Sequence, residues 1–336
     1  MRVSLNQDLP SAGRRLVLGA AALSLLACGL GLGPAALAQS PYPSRPVRLV
    51  APFAPGGALD MIARGVAQSW SDQMGQTFLV DNRAGAAGII GSTYVARAEP
   101  DGYTLLLGST TTHGINPSLY KTISYAPADF APVSLIATIP HVLVVNPSLG
   151  VNSFQELLAY IKSHPGATFG SAGIGSPHHL AGEMLKSMTG IEATHVPYKG
   201  SAPALADLLG GQITFVSVEY TAAAQFINSG KLKAIAIATA DRVPGLNVPT
   251  YREQGLPGFE VTAWYGIYAP AKTPPDIVEK LAAGVSKSVQ DPAFRDRLIS
   301  LGATPVGSTP ADMAVFQKKE LALWSKAIKD SGTTAQ

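Results

Sequence analysis

Residues 47–63 read as a buried strand, a tight turn and an amphipathic helix in immediate succession. The apolar run of the strand stops at two prolines, and Gly56 and Gly57 complete the turn. Glycine permits backbone dihedrals and close approaches that a side chain would prevent. The helix begins near Ala58, and its apolar residues recur every four positions, at Ile62, Val66, Trp70 and Met74. The sequence therefore predicts a strand-to-helix turn at the start of the fold.

This turn is a possible seat for an anion. The first amide N–H groups of a helix have no partners within it, and the helix dipole adds partial positive charge at that end. Because Gly56 and Gly57 carry no side chains, a ligand could lie directly against their backbone. The same residues would serve equally well as a plain tight connection between strand and helix. Both interpretations stay open at this point.

Length and composition limit the class of protein. A chain of 336 residues with 46% hydrophobic and 14% charged residues can bury a large core, which predicts two domains. The formal net charge is +3, and no basic cluster is interleaved with aromatic residues, so no nucleic-acid partner is expected. Later apolar stretches are broken by Pro, Gly or charge before about 18 residues, so no membrane-spanning helix is expected either.

Residues 1–38 have the features of a signal peptide for export. They contain a positive region, an apolar core and a small-x-small cleavage site, which are Arg14-Arg15, 16–32 and Ala36-Leu37-Ala38. The paired arginines also permit twin-arginine export. We therefore expect cleavage after Ala38 and a mature protein that begins at Gln39.

The only cysteine of the chain, Cys28, lies inside this signal peptide. Lipid attachment to Cys28 is conceivable, but Leu26 is a poor residue just before it, and Ala38 is the better cleavage site. Cleavage after Ala38 leaves no cysteine, which excludes disulfides and thiol catalysis. We expect a soluble protein of an extracytoplasmic compartment, the periplasm.

Strands and helices alternate along the rest of the chain, which implies an α/β fold with a parallel sheet. Predicted strands after the first are 77–80, 103–107, 140–146, 167–170, 194–196, 213–218, 232–238 and 261–269. Predicted helices after the first are 87–97, 153–163, 177–188, 201–209 and 221–228, with two more from Pro274 and from Pro310. The alternation restarts beyond Pro147, and the last helices are expected to pack on the first domain. We predict two lobes, 41–140 plus 264–336 and 141–263, joined by two crossing strands.

A second glycine-rich turn, SAGIGSPHHL, occupies 171–180 in the second lobe. Ser176 is a good N-cap and Pro177 a good first helical residue, so a helix start is well marked. The glycines before them again leave amides free. One such turn in each lobe would allow a cleft between the lobes to hold one ligand from both sides.

Two further stretches are expected to face this cleft. Ser109, Thr110 and Thr111 follow a predicted strand and offer hydroxyl donors where ligands bind at parallel sheets, although they also fit a solvated loop. Tyr198 and Lys199 would present an aromatic face and a cation, although Lys199 fits a solvated surface charge as well.

Other chemistries fit the sequence less well. The glycines at 173 and 175 lack the third glycine of a dinucleotide fingerprint, and no Walker A pattern occurs. His179, Glu183 and His195 could in principle form a metal site, but His179 at a helix start fits a hydrogen-bonding residue packed between strands. We expect neither a metal nor a cofactor.

Six segments together resemble the extracytoplasmic substrate-binding proteins of tripartite tricarboxylate transporters, the Bug family. These segments are YPSRPVRLVAPFAPGGALDMIAR, FLVDNRAGAAGIIGSTYVARAEPDGYTLLLG, NPSLY, FGSAGIGSPHHLAGEML, HVPYKGSAPALADLLGGQI and YGIYAPAKTPPDIVEKLA. The resemblance covers nearly all of the chain after the signal peptide. It implies a two-lobe periplasmic-binding-protein fold, type II-like, whose cleft takes a small carboxylate.

The resemblance also implies that 53–58, 109–112 and 171–176 carry recognition, partly through ordered water. The candidate ligand-binding residues are Phe53, Ala54, Pro55, Gly56, Gly57, Ala58, Ser109, Thr110, Thr111, Ser171, Gly173, Gly175, Ser176, Tyr198 and Glu219. Glu219 is included because the chain departs from the family there, where the acidic residue comes later than usual. If Glu219 faces the ligand, it would select against a polyanion or favour a group such as an ammonium.

The expected function is that of a receptor without catalytic residues, which closes on a small organic carboxylate and presents it to membrane transporter subunits. No arginine lies in the three stretches, so backbone amides and hydroxyls would hold the carboxylate. A monomer is expected. One alternative is an exported serine hydrolase using Ser109 or Ser176, although no base is recognisable near either. Another is a ligand-sensing subunit for a signalling receptor.

Overall fold

The computed structural model describes residues 42–243 and 245–335, so the predicted signal peptide lies outside the described part. The strands are β1 Val47–Ala51, β2 Phe78–Asn82, β3 Thr104–Ser109, β4 Phe130–Val145, β5 Thr168–Ser171, β6 Thr194–Pro197, β7 Phe215–Glu219, β8 Lys233–Ile237, β9 Thr262–Pro270 and β10 Thr304–Pro305. The helices are α1 Ala58–Met74, α2 Ile89–Ala96, α3 Asn116–Leu119, α4 Phe154–Ser163, α5 Pro177–Thr189, α6 Ser201–Leu209, α7 Tyr220–Asn228, α8 Pro275–Gln290, α9 Pro292–Ser300 and α10 Pro310–Ser331.

The strands form one mixed sheet with two halves, in the order β2-β1-β3-β9-β4-β7-β5-β6. In the first half, β1 pairs in parallel with β2 and β3, and β9 runs antiparallel to β3. In the second half, β5 pairs in parallel with β6 and β7. The expected parallel sheet is thus present in each half, and antiparallel strands join the halves.

Two connections cross between the halves, as predicted. The first is β4, which pairs with β9 along its early part and with β7 and β8 along its last residues. The second is the run into β9, where the backbone N–H of His141 donates to Val261 O at 3.0 Å. Both connections therefore pass side by side at His141, and the predicted two-lobe α/β fold is confirmed.

The long strand β4 differs from the prediction, which began it at residue 140. Pro132 and Pro140 lie inside the observed strand, and proline is normally confined to edges and bulges because it lacks an N–H donor. The structure accommodates the early part with two register shifts against β9, between Pro132 and Ser134 and between Leu135 and Ala137. Because of these prolines, local sequence patterns did not predict the first ten residues of the strand.

Helix α10 also differs from the prediction that the last helices pack on the first domain. Helix α8 does so, since Leu281 and Val285 belong to the core around β1 and α1. In α10, however, Met313 packs beside β3 and β9, whereas Trp324 and Ile328 belong to the second core around β5 and α5. This helix therefore contacts both halves of the sheet, and the exact lobe boundaries stay a prediction.

Candidate functional site

The first turn leaves the start of α1 open. Gly57 is the N-cap with φ −84° and ψ 172°, and no side chain caps the helix. A Cβ atom at Gly57 would meet nothing within 4 Å, and residues 54–57 are exposed. The left-handed conformation belongs to Gly56, at φ +94°. The start of α1 therefore borders open space at Gly57, as an anion seat requires.

Asp60 stabilises this turn from inside, a role that local sequence patterns did not indicate. Its carboxylate is 5% exposed and accepts hydrogen bonds from Gly56 N (3.0 Å), Arg64 Nε (3.0 Å) and Asn82 Nδ2 (2.9 Å). Burial alone would raise the pKa of the Asp60 carboxyl, but these hydrogen bonds and the Arg64 charge together hold it below its usual value. Asn82 also donates to Phe53 O at 3.2 Å. The turn is thus rigid without using the amides of α1.

A segment that the sequence did not single out completes this side of the site. Ala86 and Ala87 have positive φ, at 47° and 52°, in a stretch that the sequence assigned partly to a helix. A Cβ atom on the following Gly88 would lie 2.6 Å from Thr112 Cγ2 and 3.2 Å from Phe53 Cζ. The glycine therefore allows three stretches to meet, namely the first turn, this segment and 109–112. The glycine spacing in AGAAG was the only local signal for it.

The stretch 109–112 is not a solvated loop, since Thr110–Ile115 forms a π-helical turn. The hydroxyl of Thr110 accepts from Trp264 N at 2.9 Å, and that of Thr112 accepts from Ser109 N at 3.0 Å. These two hydroxyls therefore hold backbone. The Ser109 hydroxyl is buried and has no hydrogen-bond partner among the described residues, which leaves it free for a ligand or for water.

The second turn has the predicted helix start. Ser176 Oγ accepts from His179 N at 3.3 Å and donates to Gly173 O at 2.7 Å, and Pro177 is the first helical residue. A Cβ atom on Gly175 would lie 2.4 Å from Leu119 Cδ2 in α3. Because α3 follows directly after the π-helical turn, this contact brings the second turn next to the first half of the structure.

Two stacked histidines support the second turn from below. His179 Nδ1 accepts from Gly175 N at 3.1 Å, and its ring lies 3.8 Å from that of His195. His195 Nε2 lies 2.6 Å from Ser171 Oγ. Burial, with a smaller effect of the neighbouring charges, lowers the pKa of His195 to about 4, so it is neutral at pH 7. In the described ranges no group of three potential ligands could hold a metal ion, and these histidines act as hydrogen-bonding residues.

Tyr198 directly follows β6, and Glu219 is the last residue of β7. The Tyr198 hydroxyl donates to Asp207 Oδ2 at 2.6 Å, and burial together with this carboxylate raises its pKa to about 12. Lys199 beside it is exposed. Glu219 pairs in register with His141 of β4, and its side chain is 21% exposed. Glu219 therefore lies where the chain crosses between the halves.

A second concave region lies at the opposite ends of β1 and β3. This groove of about 830 Å³ is lined by Arg45, Arg48, Arg83, Arg97 and Tyr103, among others. Its arginines are largely satisfied within the protein, for example by ion pairs of Arg45 with Asp101 (2.8 Å) and of Arg48 with Asp81 (2.7 Å). Since ligands of α/β sheets bind at the carboxyl ends of strands, the two glycine-rich turns are the stronger candidate for the ligand site.

Within 42–243 and 245–335, no helix is long and apolar enough to cross a membrane.

The fold and the turns define a class of protein, the two-lobe solute-binding proteins. The model of the tripartite tricarboxylate transporter family receptor, TctC, matches residues 62–333. The chain therefore belongs to this receptor family, and the resemblance noted in the sequence is confirmed. It is a solute-binding receptor of the periplasmic binding protein kind.

Individual relatives agree with this assignment. Protein BugT of Bordetella pertussis is 38% identical over 295 residues, which is 87% of this chain and 90% of BugT. The structure of R. palustris Rpa4515 with adipate is 40% identical, has a TM-score of 0.76, and is matched over 87% of this chain and 99% of its own. MatC of Rhodopseudomonas palustris with bound malate is 35% identical, has a TM-score of 0.72, and is matched over 85% of this chain and 100% of its own.

Proposed function

We propose that this receptor captures a small organic carboxylate between its lobes and delivers it to a tripartite tricarboxylate-type membrane transporter. The observation that carries the proposal is the open start of α1, which has no side-chain cap and follows a turn without side chains at Gly56 and Gly57. Amides of this kind bind carboxylates without a cationic side chain. The adipate and malate in the two Rhodopseudomonas palustris structures support this ligand class.

The proposed ligand contacts come from both halves of the sheet. The first half supplies the turn 53–58 and the Ser109 hydroxyl, and the second half supplies the glycine-rich turn 171–176. The Thr110 hydroxyl accepts from Trp264 N and Thr111 is half-buried, and both stay among the proposed ligand-binding residues. The proposed lobes are 41–140 plus 264–336 and 141–263. A monomer suffices, because each lobe supplies one side of the cleft.

Binding without turnover is the expected behaviour. Ser176 Oγ donates to a backbone carbonyl and has no base beside it. Ser171 does contact a histidine, His195, but Ser171 is 0% exposed and its Oγ also accepts from Gly173 N at 3.0 Å. These contacts commit the Ser171 hydroxyl to the turn, whereas a nucleophile must be free to attack a substrate carbonyl. Ser109 Oγ has no hydrogen-bond partner among the described residues, so no base contacts it. None of these three serines thus meets the requirements of a hydrolase nucleophile.

The direct test uses ligand-stripped protein with malate and with six-carbon acids, namely hexanoate, 6-hydroxyhexanoate, 6-aminohexanoate and adipate. An acid that binds should stabilise the fold by about 2.7 kcal/mol at 100 times its dissociation constant, by mass action alone. Thermal melting measures this stabilisation, and mass spectrometry of the incubated acid should show no conversion. Steady conversion that disappears in Ser109→Ala, Ser176→Ala or Ser171→Ala would replace the receptor with a hydrolase.

We further propose export with cleavage after Ala38. The small-x-small pattern before Gln39 supports this position, and the family assignment supports a periplasmic location. The intact mass of the exported protein should correspond to a chain that begins at Gln39 and carries no lipid. A mass that shows a diacylated Cys28 would place the protein on a membrane surface instead.

A further inference from the structure

Glu219 occupies a position that links the two sides of the proposed cleft. It is the last residue of β7, which pairs with β5 on one side and with β4 on the other. The end of β5 leads into the second turn, and the β4 partner of Glu219 is His141, the residue at which both crossings meet. The Glu219 side chain is 21% exposed, so part of it can be reached from the space at the strand ends.

Two histidines are the charge partners of this carboxylate. His178 Nε2 lies 2.8 Å from one carboxylate oxygen, and His141 Nε2 lies 3.7 Å from the other. His178 is 5% exposed, is in the first turn of α5, and follows Ser176 by two positions. Its contact with Glu219 is off the direction of a hydrogen bond, and both His178 ring nitrogens lack a hydrogen-bond partner among the described residues. The cluster of Glu219, His141 and His178 is thus part of the second turn, and its hydrogen-bonding capacity is incompletely used.

The carboxylate of Glu219 is ionised at neutral pH. Burial alone would raise its pKa, but the two histidines outweigh burial and hold the pKa of Glu219 well below its usual value. Burial lowers the pKa of His141 below its usual value, so this ring is neutral at pH 7. In the described part of the chain, no lysine or arginine forms an ion pair with Glu219. A carboxylate offers about four acceptor positions, so this one keeps acceptor capacity for a ligand.

The negative charge of Glu219 also reaches the first half of the site. Burial, with a further contribution from Glu219, raises the pKa of Tyr265 in β9. Tyr265 is the register partner of Ser109 at the end of β3. A ligand whose carboxylate sits on the amides of the first turn would therefore extend its other end toward an anionic acceptor.

We propose that Glu219 determines ligand preference by accepting a hydrogen bond from a donor group, an ammonium or a hydroxyl, at the end of the ligand opposite its carboxylate. This inference rests on the proposed carboxylate function and narrows it to acids with one carboxylate and one donor. A second carboxylate at that end of the ligand would be repelled by the negative charge of Glu219. The ligand class thus differs from the dicarboxylates adipate and malate of the two relatives.

The test compares four acids of equal chain length by calorimetry with the wild-type protein. We expect 6-aminohexanoate and 6-hydroxyhexanoate to bind at least about tenfold more tightly than hexanoate and adipate, because a hydrogen bond to a charged group contributes roughly this much or more. A larger gain for the ammonium acid than for the hydroxy acid identifies a cationic ligand, and the reverse order identifies a hydroxy acid. The same comparison with 4-aminobutanoate, 4-hydroxybutanoate, butanoate and succinate covers shorter ligands.

The variant Glu219→Gln keeps the size of the side chain and one acceptor oxygen but removes the charge. We expect it to weaken 6-aminohexanoate at least about tenfold and to strengthen adipate. Glu183→Gln is the matched control. Glu183 is also a half-buried glutamate near a histidine, 3.8 Å from His179, but it lies in a groove between α5 and α10. It should leave the ranking of the acids unchanged.

Two results would overturn the inference. One is wild-type protein that binds adipate as tightly as 6-aminohexanoate, and this result needs no variant to fold. The other is a ranking that stays the same in Glu219→Gln. Either result leaves the carboxylate function in place, whereas failure of malate and of every acid in both series to bind would remove that function and this inference together.

Discussion

Replacing Gly57 by aspartate is expected to abolish carboxylate binding while the protein stays folded. The new carboxylate would lie at the N-cap of α1, beside the amides proposed to hold the ligand. Two like charges about 4 Å apart repel by about 4 kcal/mol at an effective dielectric constant near 20, which corresponds to roughly a thousandfold loss of affinity. The fold should tolerate the change, because φ is −84° and the space beside Gly57 is empty. Aspartate is moreover a preferred N-cap residue.

Three further variants serve as controls. Two separate the charge from the size of a side chain at position 57, and one tests the second turn. Gly57→Asn places a side chain of the same size and capping ability without charge, so it should weaken binding much less. Gly57→Ala adds one methyl group in open space and should bind nearly as wild type does. Ser176→Ala in the second turn removes one cap, about 1 kcal/mol, and leaves the amides in place, so its effect on affinity should be mild.

Calorimetry with the acid that binds wild-type protein most tightly ranks the affinities of the variants, and circular dichroism verifies that each variant is folded. Affinity in Gly57→Asp equal to that of wild type would mean that the first turn is only a connection between β1 and α1. The proposed site would then have to be abandoned.

The turns were the part of the site most accessible from sequence, since their signals are local. The glycine pair at 56–57 and the Ser176-Pro177 start of α5 are each marked by residues within a few positions. The hydroxyl stretch was located too, but its roles were not. Which hydroxyl holds backbone depends on Trp264, which is far along the chain and pairs only in the folded sheet.

Interactions at long range explain what the sequence could not supply. Local rules place a boundary at Pro140, whereas pairing with β9 carries the strand through it. Glu219 was recognised as a departure in sequence, yet its partners His141 and His178 come from β4 and α5. The same holds for Asn82, which reaches Asp60 and Phe53 from the end of β2. Periodicity and capping identify elements, but they carry no information on which elements meet.

Removing the carboxylate of Asp60 is expected to destabilise the protein and to weaken ligand binding together. Asp60→Ala deprives the Gly56 amide, Arg64 and Asn82 of a shared acceptor. Hydrogen bonds to a charged group contribute about 1.5–3 kcal/mol each, but Arg64 is half exposed and can be rehydrated. We therefore expect the free energy of unfolding to fall by roughly 2–3 kcal/mol and the melting temperature by roughly 5–10 °C. Affinity should fall because the turn that aims the amides loses its brace.

Asp72→Ala is the control for this change, since Asp72 lies on the exposed side of the same helix and, among the described residues, accepts only from Gln68. Its effect should stay within about 0.5 kcal/mol.

The pH dependence of stability tests the mechanism. The pKa of Asp60 is lower in the folded protein than the unfolded value of about 3.9. Its stabilisation is therefore complete above about pH 4 and is lost as the pH falls through the folded pKa. Chemical denaturation should show a difference between wild type and Asp60→Ala that is large at pH 7 and shrinks near pH 3. A difference that is equal at both pH values would assign the loss to packing, because the protonated carboxyl is a weaker acceptor for all three donors than the ionised one.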